Sequence, residues 1–233
     1  HIVDESTRKS EINNIIAIGS GCTIDIGKAV SNLISNGGRA AEYQGWDLVK
    51  KPGIYKIAIP TLSGTGSETS RTCVMTNKET GLKLGMNSDY SIYDSLILDP
   101  NLTKTVPRDQ YFFTGMDAFM HCTEILHGRL RHPVADAYAE QALKLCDDVF
   151  LSDDMQSDEN RSKLMVASYF GGSALANSMV GMIHPFSAGL SVVFEVRHCL
   201  ANCLVLNVLE EYYPKSYKKF IAYLDVQSIK LTS

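Results

Sequence analysis

The chain has 233 residues, 45% of them hydrophobic and 21% charged, with a formal net charge of −4. That composition suits a globular protein with a sizeable core, and the slight acidic excess offers no footprint for a nucleic-acid backbone. No apolar run approaches the roughly 20 residues needed to span a bilayer, and the polar start HIVDESTRKSE does not read as a signal peptide. The expected setting is cytoplasmic, with neither membrane nor nucleic acid as partner. The chain starts at His1 instead of a methionine and stops abruptly at LDVQSIKLTS, so both ends are expected to be incomplete. The six cysteines, Cys22, Cys73, Cys122, Cys146, Cys199 and Cys203, form no CxxC pair and read as reduced, buried thiols.

In chain order, Ile15 to Ile18 is a short apolar run of the buried-strand type, and Gly19-Ser20-Gly21 is a turn. Apolar residues then recur at helical spacing through Ile26, Ala29, Val30, Leu33 and Ile34, until Asn36-Gly37-Gly38 ends the helix. Strand, glycine turn and helix together make a phosphate cradle, because a helix N-terminus presents free N–H groups to an anion. Asp25 and Lys28, in the first turns of that helix, read as a helix-start acid and a solvated lysine. A second strand spans Tyr55 to Ile59 and runs into the small, hydroxylated loop IPTLSGTGSETS; a third covers Ser95 to Leu98. This pattern predicts a doubly wound, Rossmann-like α/β domain over residues 1–103.

After Pro107 the texture becomes helical, which predicts an all-α domain over residues 104–233. DQYFFTGMDAFMHCTEILHG, PVADAYAEQALKLCDDVFL and NRSKLMVASYFGGSALANSMVGMIH read as helices, and DDMQSDENRS as a polar link. In the second helix Val134, Ala137, Tyr138, Ala142, Leu143 and Cys146 form the expected apolar face. Asp117 and His121 are four apart, side by side on a helix. His184 and His198 follow later, His184 near the end of a helix. An Asp-His-His-His set suits zinc or ferrous iron and does not suit calcium. The alternative for His121 is a core histidine bonded to Asp117 or to a carbonyl. His127 and His132 read as loop residues, and His1 is terminal.

Together these blocks resemble the iron-containing (group III) alcohol dehydrogenases, which have a dehydroquinate-synthase-like fold. GSGCTIDIGKA is similar to the family's GGGSxxDxxK loop, IPTLSGTGSETS to its PTTxGTGSE loop, and GMDAFMHCTE with IHPFSAGLSVVFEVRH to its metal signature. The resemblance implies that Asp117, His121, His184 and His198 are the metal ligands and the catalytic centre, with Fe2+ or Zn2+ as the ion. It implies NAD or NADP as cofactor, with the pyrophosphate on Gly19, Ser20, Gly21 and Cys22, Asp25 nearby, Thr61, Leu62, Thr65 and Ser67 toward the nicotinamide half, and Lys83 close to the cofactor. It also implies a homodimer. AEYQGWDLVKKP, SGTGSETSRT, KLGMNSDYSIYD and LEEYYP resemble the 3-deoxy-D-manno-octulosonate (Kdo) 8-oxidase branch, which oxidises a primary alcohol of a lipopolysaccharide sugar acid to an aldehyde. For such a carboxylated substrate Arg71, Lys83, Asn87 and Arg197 are the candidate cations and amides.

Three departures stand out. Ser20 and Cys22 replace residues of the GGGS pattern, which the cradle tolerates unless Ser20 needs a positive φ. Ala188 stands where many members carry a second histidine, a proton-relay group, and the Kdo branch also lacks it. The strands expected before residue 1 would serve the adenosine pocket. Two other readings stay open: a dehydrogenase of the same fold acting on a simpler alcohol or polyol, and a metal-bearing structural protein without catalysis. Oxygen as acceptor is a third, although no flavin motif is present.

Overall fold

The computed structural model describes residues 11–231. The terminal His1 therefore lies outside the described residues. The chain divides into two compact units, one running to Thr61 and resuming over Ser67–Asp99, the other comprising Leu62–Gly66 and Pro100 onward.

The first unit is α/β. Strand β1 (Asn14–Gly19) turns at Ser20 into helix α1 (Gly21–Asn36). After the short β2 (Gly45–Trp46), strand β3 (Tyr55–Pro60) pairs in parallel with β1, from Asn14↔Tyr55 to Gly19↔Pro60. Strand β6 (Ser95–Leu96) adds in parallel to the other side of β3, giving the order β1-β3-β6. The small side chains of Ala17 and Ala58 let Ile24 of α1 sit directly on the sheet, closed by Tyr93. A second sheet, not expected from the sequence pattern, completes the unit. In it β4 (Thr72–Thr76) and β5 (Lys83–Asn87) form an antiparallel hairpin, with β2 on the far side of β5.

The second unit is helical: α2 (Arg108–His127), α3 (Pro133–Phe150), α4 (Asp158–Ala176), α5 (Ile183–Val193), α6 (His198–Leu206) and α7 (Pro214–Val226). Every residue of α2 from Tyr111 to Ile125 is buried, so this helix is the axis of the unit and not a surface helix with one apolar stripe. Phe112, Phe119, Phe150 and Tyr223 stack edge to face around it. Helix α4 is capped by the Ser157 hydroxyl, which accepts from the Asn160 N–H, with Asp158 and Glu159 complementing the dipole.

Several expectations are corrected here. The buried face of α3 is Ala135, Ala139, Ala142, Cys146, Val149 and Phe150, while Val134 is exposed. Ala142 and Cys146 are as expected, Tyr138 and Leu143 are only partly buried, and the face is set by packing between α2 and α4. The supposed polar link at 153–162 holds the buried Met155 and the first turn of α4. The long run ending at His184 is broken after Ala176, so His184 opens helix α5 instead of closing α4. His127 is the last residue of α2, with Nδ1 2.8 Å from the Thr123 carbonyl, and His132 is the N-cap of α3. Cys22 is exposed, unlike the buried Cys73, Cys122, Cys146 and Cys203. No helix among the described residues is long and apolar enough to cross a membrane.

Residues Leu62–Gly66, which include the first four residues of SGTGSE, belong to the helical unit, and glycine is what lets them pack there. Gly64 has φ +141°, and a Cβ there would lie 1.7 Å from the Thr114 carbonyl oxygen of α2. Gly66 has φ +60°, and a Cβ there would lie 2.5 Å from Gly172 Cα of α4. The Gly66 N–H also donates to the Ser168 hydroxyl at 3.2 Å. Gly64→Ala should therefore cost more than the about 1–3 kcal/mol of a strained backbone alone, because helix backbone blocks the methyl. Gly81→Ala, at φ +70° with open space around it, should cost only that backbone term. Equal losses for the two variants in chemical denaturation would overturn this packing account.

Candidate metal centre and nucleotide loop

The nucleotide loop lies at the carboxyl ends of β1 and β3, where open parallel sheets receive ligands. Gly19 ends β1 and its carbonyl accepts the Thr61 N–H at 2.9 Å, so Gly19 and Thr61 stand side by side. Ser20 is the N-cap of α1 with φ −74°, ordinary extended backbone, so the serine in place of glycine costs the cradle no strain. No side chain caps the helix and no acid occupies its first turn. The N–H groups of Gly21 and Cys22 thus lie in the orphan turn of the helix.

Asp25 and Lys28 differ from the sequence expectation. Lys28 is completely buried, not solvated. Its ammonium donates to the Ser70 carbonyl at 2.9 Å, the Ser70 hydroxyl at 3.1 Å and the Thr72 carbonyl at 2.7 Å, which uses its three donors. The Asp25 carboxylate accepts from the Ser67 hydroxyl and the Val74 N–H, with Lys28 Nζ at 3.8 Å. Burial pushes the Asp25 carboxyl up and the Lys28 amine down, each opposed by the other's charge. Both side chains thus fasten α1 to residues 67–74. Ser67 is likewise committed to Asp25. Lys83 opens β5, and Leu62 and Thr65 lie in the helical unit. Arg71 pairs with Asp47 and Asp89 over the Trp46 ring, Asn87 bridges Thr72 and Gly45, and Arg197 donates to Gln110.

The helical unit brings three imidazoles around one carboxylate. Asp117, 1% exposed, projects from the middle of α2. Its Oδ1 lies 3.1 Å from His184 Nε2, 3.8 Å from His121 Nε2 and 3.9 Å from His198 Nε2. Donor atoms on a tetrahedral ion bonded at about 2.1 Å lie about 3.4 Å apart, so these separations fit a divalent cation after small adjustments. Among the described residues, the ligand atoms of Asp117, His184 and His198 form one tight group, within 4.8 Å of one another. His121 stacks flat on His184, with centroids 4.3 Å apart, and joins the group through Asp117. Its Nδ1 is buried without a hydrogen-bond partner.

Three neighbours of this centre had no role in the sequence reading. Glu124 meets His184 Nδ1 and accepts the Ile183 and His184 N–H groups. Asn202 donates to Asp117 Oδ1 at 2.8 Å, and Cys199 Sγ lies 3.8 Å from Asp117 Oδ2. Spacing was the available signal: Glu124 is seven residues after Asp117, and Asn202 four after His198, each on the same helical face. Burial works against the charge of Asp117, but His121, His184 and His198 hold its carboxyl well below the usual range. Burial lowers His121 to about 4, against the pull of Asp117. For His184 the Glu124 and Asp117 carboxylates overcome burial and raise the imidazole to about 10.

Two family models cover most of the chain. The model for the iron-containing alcohol dehydrogenases matches residues 3–100, and that for the C-terminal domain of the same family matches residues 112–227. The chain belongs to the iron-containing alcohol dehydrogenase family. It is 36% identical over 204 residues to a sulfoacetaldehyde reductase of Bilophila wadsworthia, covering 86% of this chain and 52% of that protein. It is 32% identical over 198 residues to an NAD-dependent methanol dehydrogenase of Bacillus methanolicus, covering 84% of this chain and 52% of the relative. The crystal structure of a sulfoacetaldehyde reductase from Bifidobacterium kashiwanohense in complex with NAD+ superposes with a TM-score of 0.80 at 26% identity, over 96% of this chain and 65% of that one. The chain thus spans about half the length of the curated relatives it matches.

The buried Lys28 yields a direct test. Lys28→Met strips the donor from two carbonyls and the cation from Asp25, and should destabilise the full-length protein by about 3 kcal/mol. A loss under about 1 kcal/mol in urea unfolding would refute the fastening role. The His184 shift yields a second. A group raised above its unfolded value stabilises the fold below about 6.5 and loses that contribution as pH rises through its folded value. Metal-free protein should therefore lose stability from pH 7 to 10, and His184→Ala should flatten the slope; parallel slopes would contradict it.

Proposed function

We propose that the protein is a metal-dependent oxidoreductase that interconverts a primary alcohol and its aldehyde with a nicotinamide cofactor. The observation that carries this reading is the convergence of three imidazoles on the buried Asp117, in a chain of the iron-containing alcohol dehydrogenase family. Asp117, His121, His184 and His198 would hold a divalent cation, Fe2+ first and Zn2+ second, since one carboxylate and three imidazoles suit both. The turn Gly19-Ser20-Gly21-Cys22 would cradle a pyrophosphate, and NAD is the cofactor tested first, with NADP beside it. When bound, the cation supplies Lewis acidity to an alcohol oxygen and the nicotinamide accepts hydride.

The residues of this chain perform the rest. Asp117 supplies the negative charge of the site, and Asn202 fixes its carboxylate with one amide N–H. The Ser187 hydroxyl donates to the His184 carbonyl at 3.0 Å. Ala188 carries no titratable group, so the hydroxyl proton passes to solvent water or to a second hydroxyl of the substrate. That demand favours a substrate that brings its own hydroxyls, which is the argument for the Kdo C8 alcohol alongside the resemblance of the YQGWD region. The relatives named above act on methanol and sulfoacetaldehyde, and a small alcohol fits the site equally well. Arg71 and Asn87 are committed to protein partners and do not favour a carboxylated substrate.

Full-length protein loaded anaerobically with Fe2+ should reduce NAD in the presence of a primary alcohol, with aldehyde identified by mass. Kdo, methanol, 1,3-propanediol and the alcohol of sulfoacetaldehyde make the substrate panel, and peroxide assayed in air tests oxygen as acceptor. His184→Ala should lower metal occupancy and turnover by more than about 100-fold. Full occupancy in that variant would remove the ligand assignment, and metal binding without turnover of any substrate would favour a structural metal protein.

A further inference from the structure

Glu124 is a fully buried carboxylate whose ion-pair partner is the His184 imidazole. It lies on α2, two turns beyond Asp117 and three residues beyond His121. Its two oxygens are divided between two tasks. Oε1 accepts the backbone N–H of Ile183 at 2.6 Å and that of His184 at 3.3 Å. Oε2 meets Nδ1 of the His184 ring. The first pair of contacts satisfies orphan donors in the first turn of α5, where a negative charge also complements the helix dipole. The Oε2 contact suits His184 as a ligand: a carboxylate oxygen takes the Nδ1 proton, which leaves Nε2, 3.1 Å from Asp117 Oδ1, as the ring atom that a cation would claim in exchange for its proton. His121 has no such partner, its Nδ1 being buried and unbonded.

We infer that Glu124 is the positioning residue of the metal centre. It clamps both the His184 ring and the backbone that carries it, so that Nε2 is aimed into the site before any cation arrives and has only its proton to lose on binding. The inference rests on the ligand reading of His184 given above. Its chemistry is specific to a carboxylate in this place. A glutamine has one acceptor oxygen for what are two separate acceptor tasks. If that oxygen keeps the two backbone N–H groups, its amide N–H faces Nδ1 and drives the ring to the tautomer with the proton on Nε2, which blocks the ligand atom. If it turns to the ring, an amide donor faces two backbone donors. Either arrangement undoes one half of the clamp, while shape and volume stay nearly unchanged.

The test compares wild type, Glu124→Gln, Glu124→Asp and His184→Ala as full-length proteins. Affinity for Zn2+ is read by anaerobic competition with a chromophoric chelator, and site geometry by the visible spectrum of the Co2+-loaded forms. The expected result is a 10- to 100-fold weaker Zn2+ affinity for Glu124→Gln and a partial recovery for Glu124→Asp, which restores the charge. The Co2+ spectrum of Glu124→Gln should be altered, and long-range 1H–15N spectra of the Zn2+-loaded wild type should show the His184 proton on Nδ1. Unchanged Zn2+ affinity and Co2+ spectrum in Glu124→Gln, with His184→Ala defective, would overturn the positioning role and leave the metal site standing. Equal Zn2+ binding by wild type and His184→Ala would instead overturn the ligand reading on which it rests. Thermal unfolding of each metal-free variant serves as the folding control: if Glu124→Gln unfolds normally yet binds weakly, the defect lies in the ligand geometry.

Discussion

A buried carboxylate organises the helical unit. Asp117 has almost no exposed surface, and an ionised acid in such a place is tolerated only when opposite charge and hydrogen bonds surround it. Histidines from three helices and an asparagine from one of them converge on it, and each has to come from a different direction. The helix that carries Asp117 is therefore sunk in the centre of the unit with α4, α5 and α6 close by. On the proposed reading the same arrangement would suit a cation: a divalent ion would take the place of the proton that the Asp117 and Glu124 carboxylates hold on His184.

The nucleotide loop solves the opposite problem. Here a positive charge is buried, and neutral carbonyls, not acids, take up its hydrogens. Lys28 draws the Ser70 and Thr72 carbonyls inward while Asp25 draws the Ser67 hydroxyl and the Val74 amide. The turn at Gly19 to Cys22 carries no rigid side chain of its own, so its shape is inherited from this buried pair one helical turn later. A ligand meeting the turn would find a backbone already held in place, which lowers the ordering cost of binding.

What the sequence disclosed followed the range of the interaction. The apolar run before Gly19 and the helical spacing after it are local patterns, and the strand and helix appear where they predict. Asp117 and His121 are legible as a pair because four residues on a helix is a fixed distance. That His184 and His198 join them depends on how two later helices dock, which no spacing encodes; only the resemblance to known enzymes supplied it. Lys28 was misread because a lysine's burial is decided by carbonyls more than 40 residues away. The break after Ala176 was hidden in a run of small residues whose hydropathy hardly changes, and the β4–β5 hairpin in strands of mixed polarity.

The centre is assembled from pieces of unequal durability. Asp117, His121 and Glu124 share a 20-residue helix buried through most of its length, whereas His184 and His198 ride on helices of 11 and 9 residues. Helices that short hold their shape only while packed against something larger. Half of the centre is thus permanent architecture and half exists by docking alone. A local opening of residues 183–206 would dismantle the site while the long helices stayed folded, so the capacity to bind a cation reports on the state of this one segment and not on the stability of the whole chain.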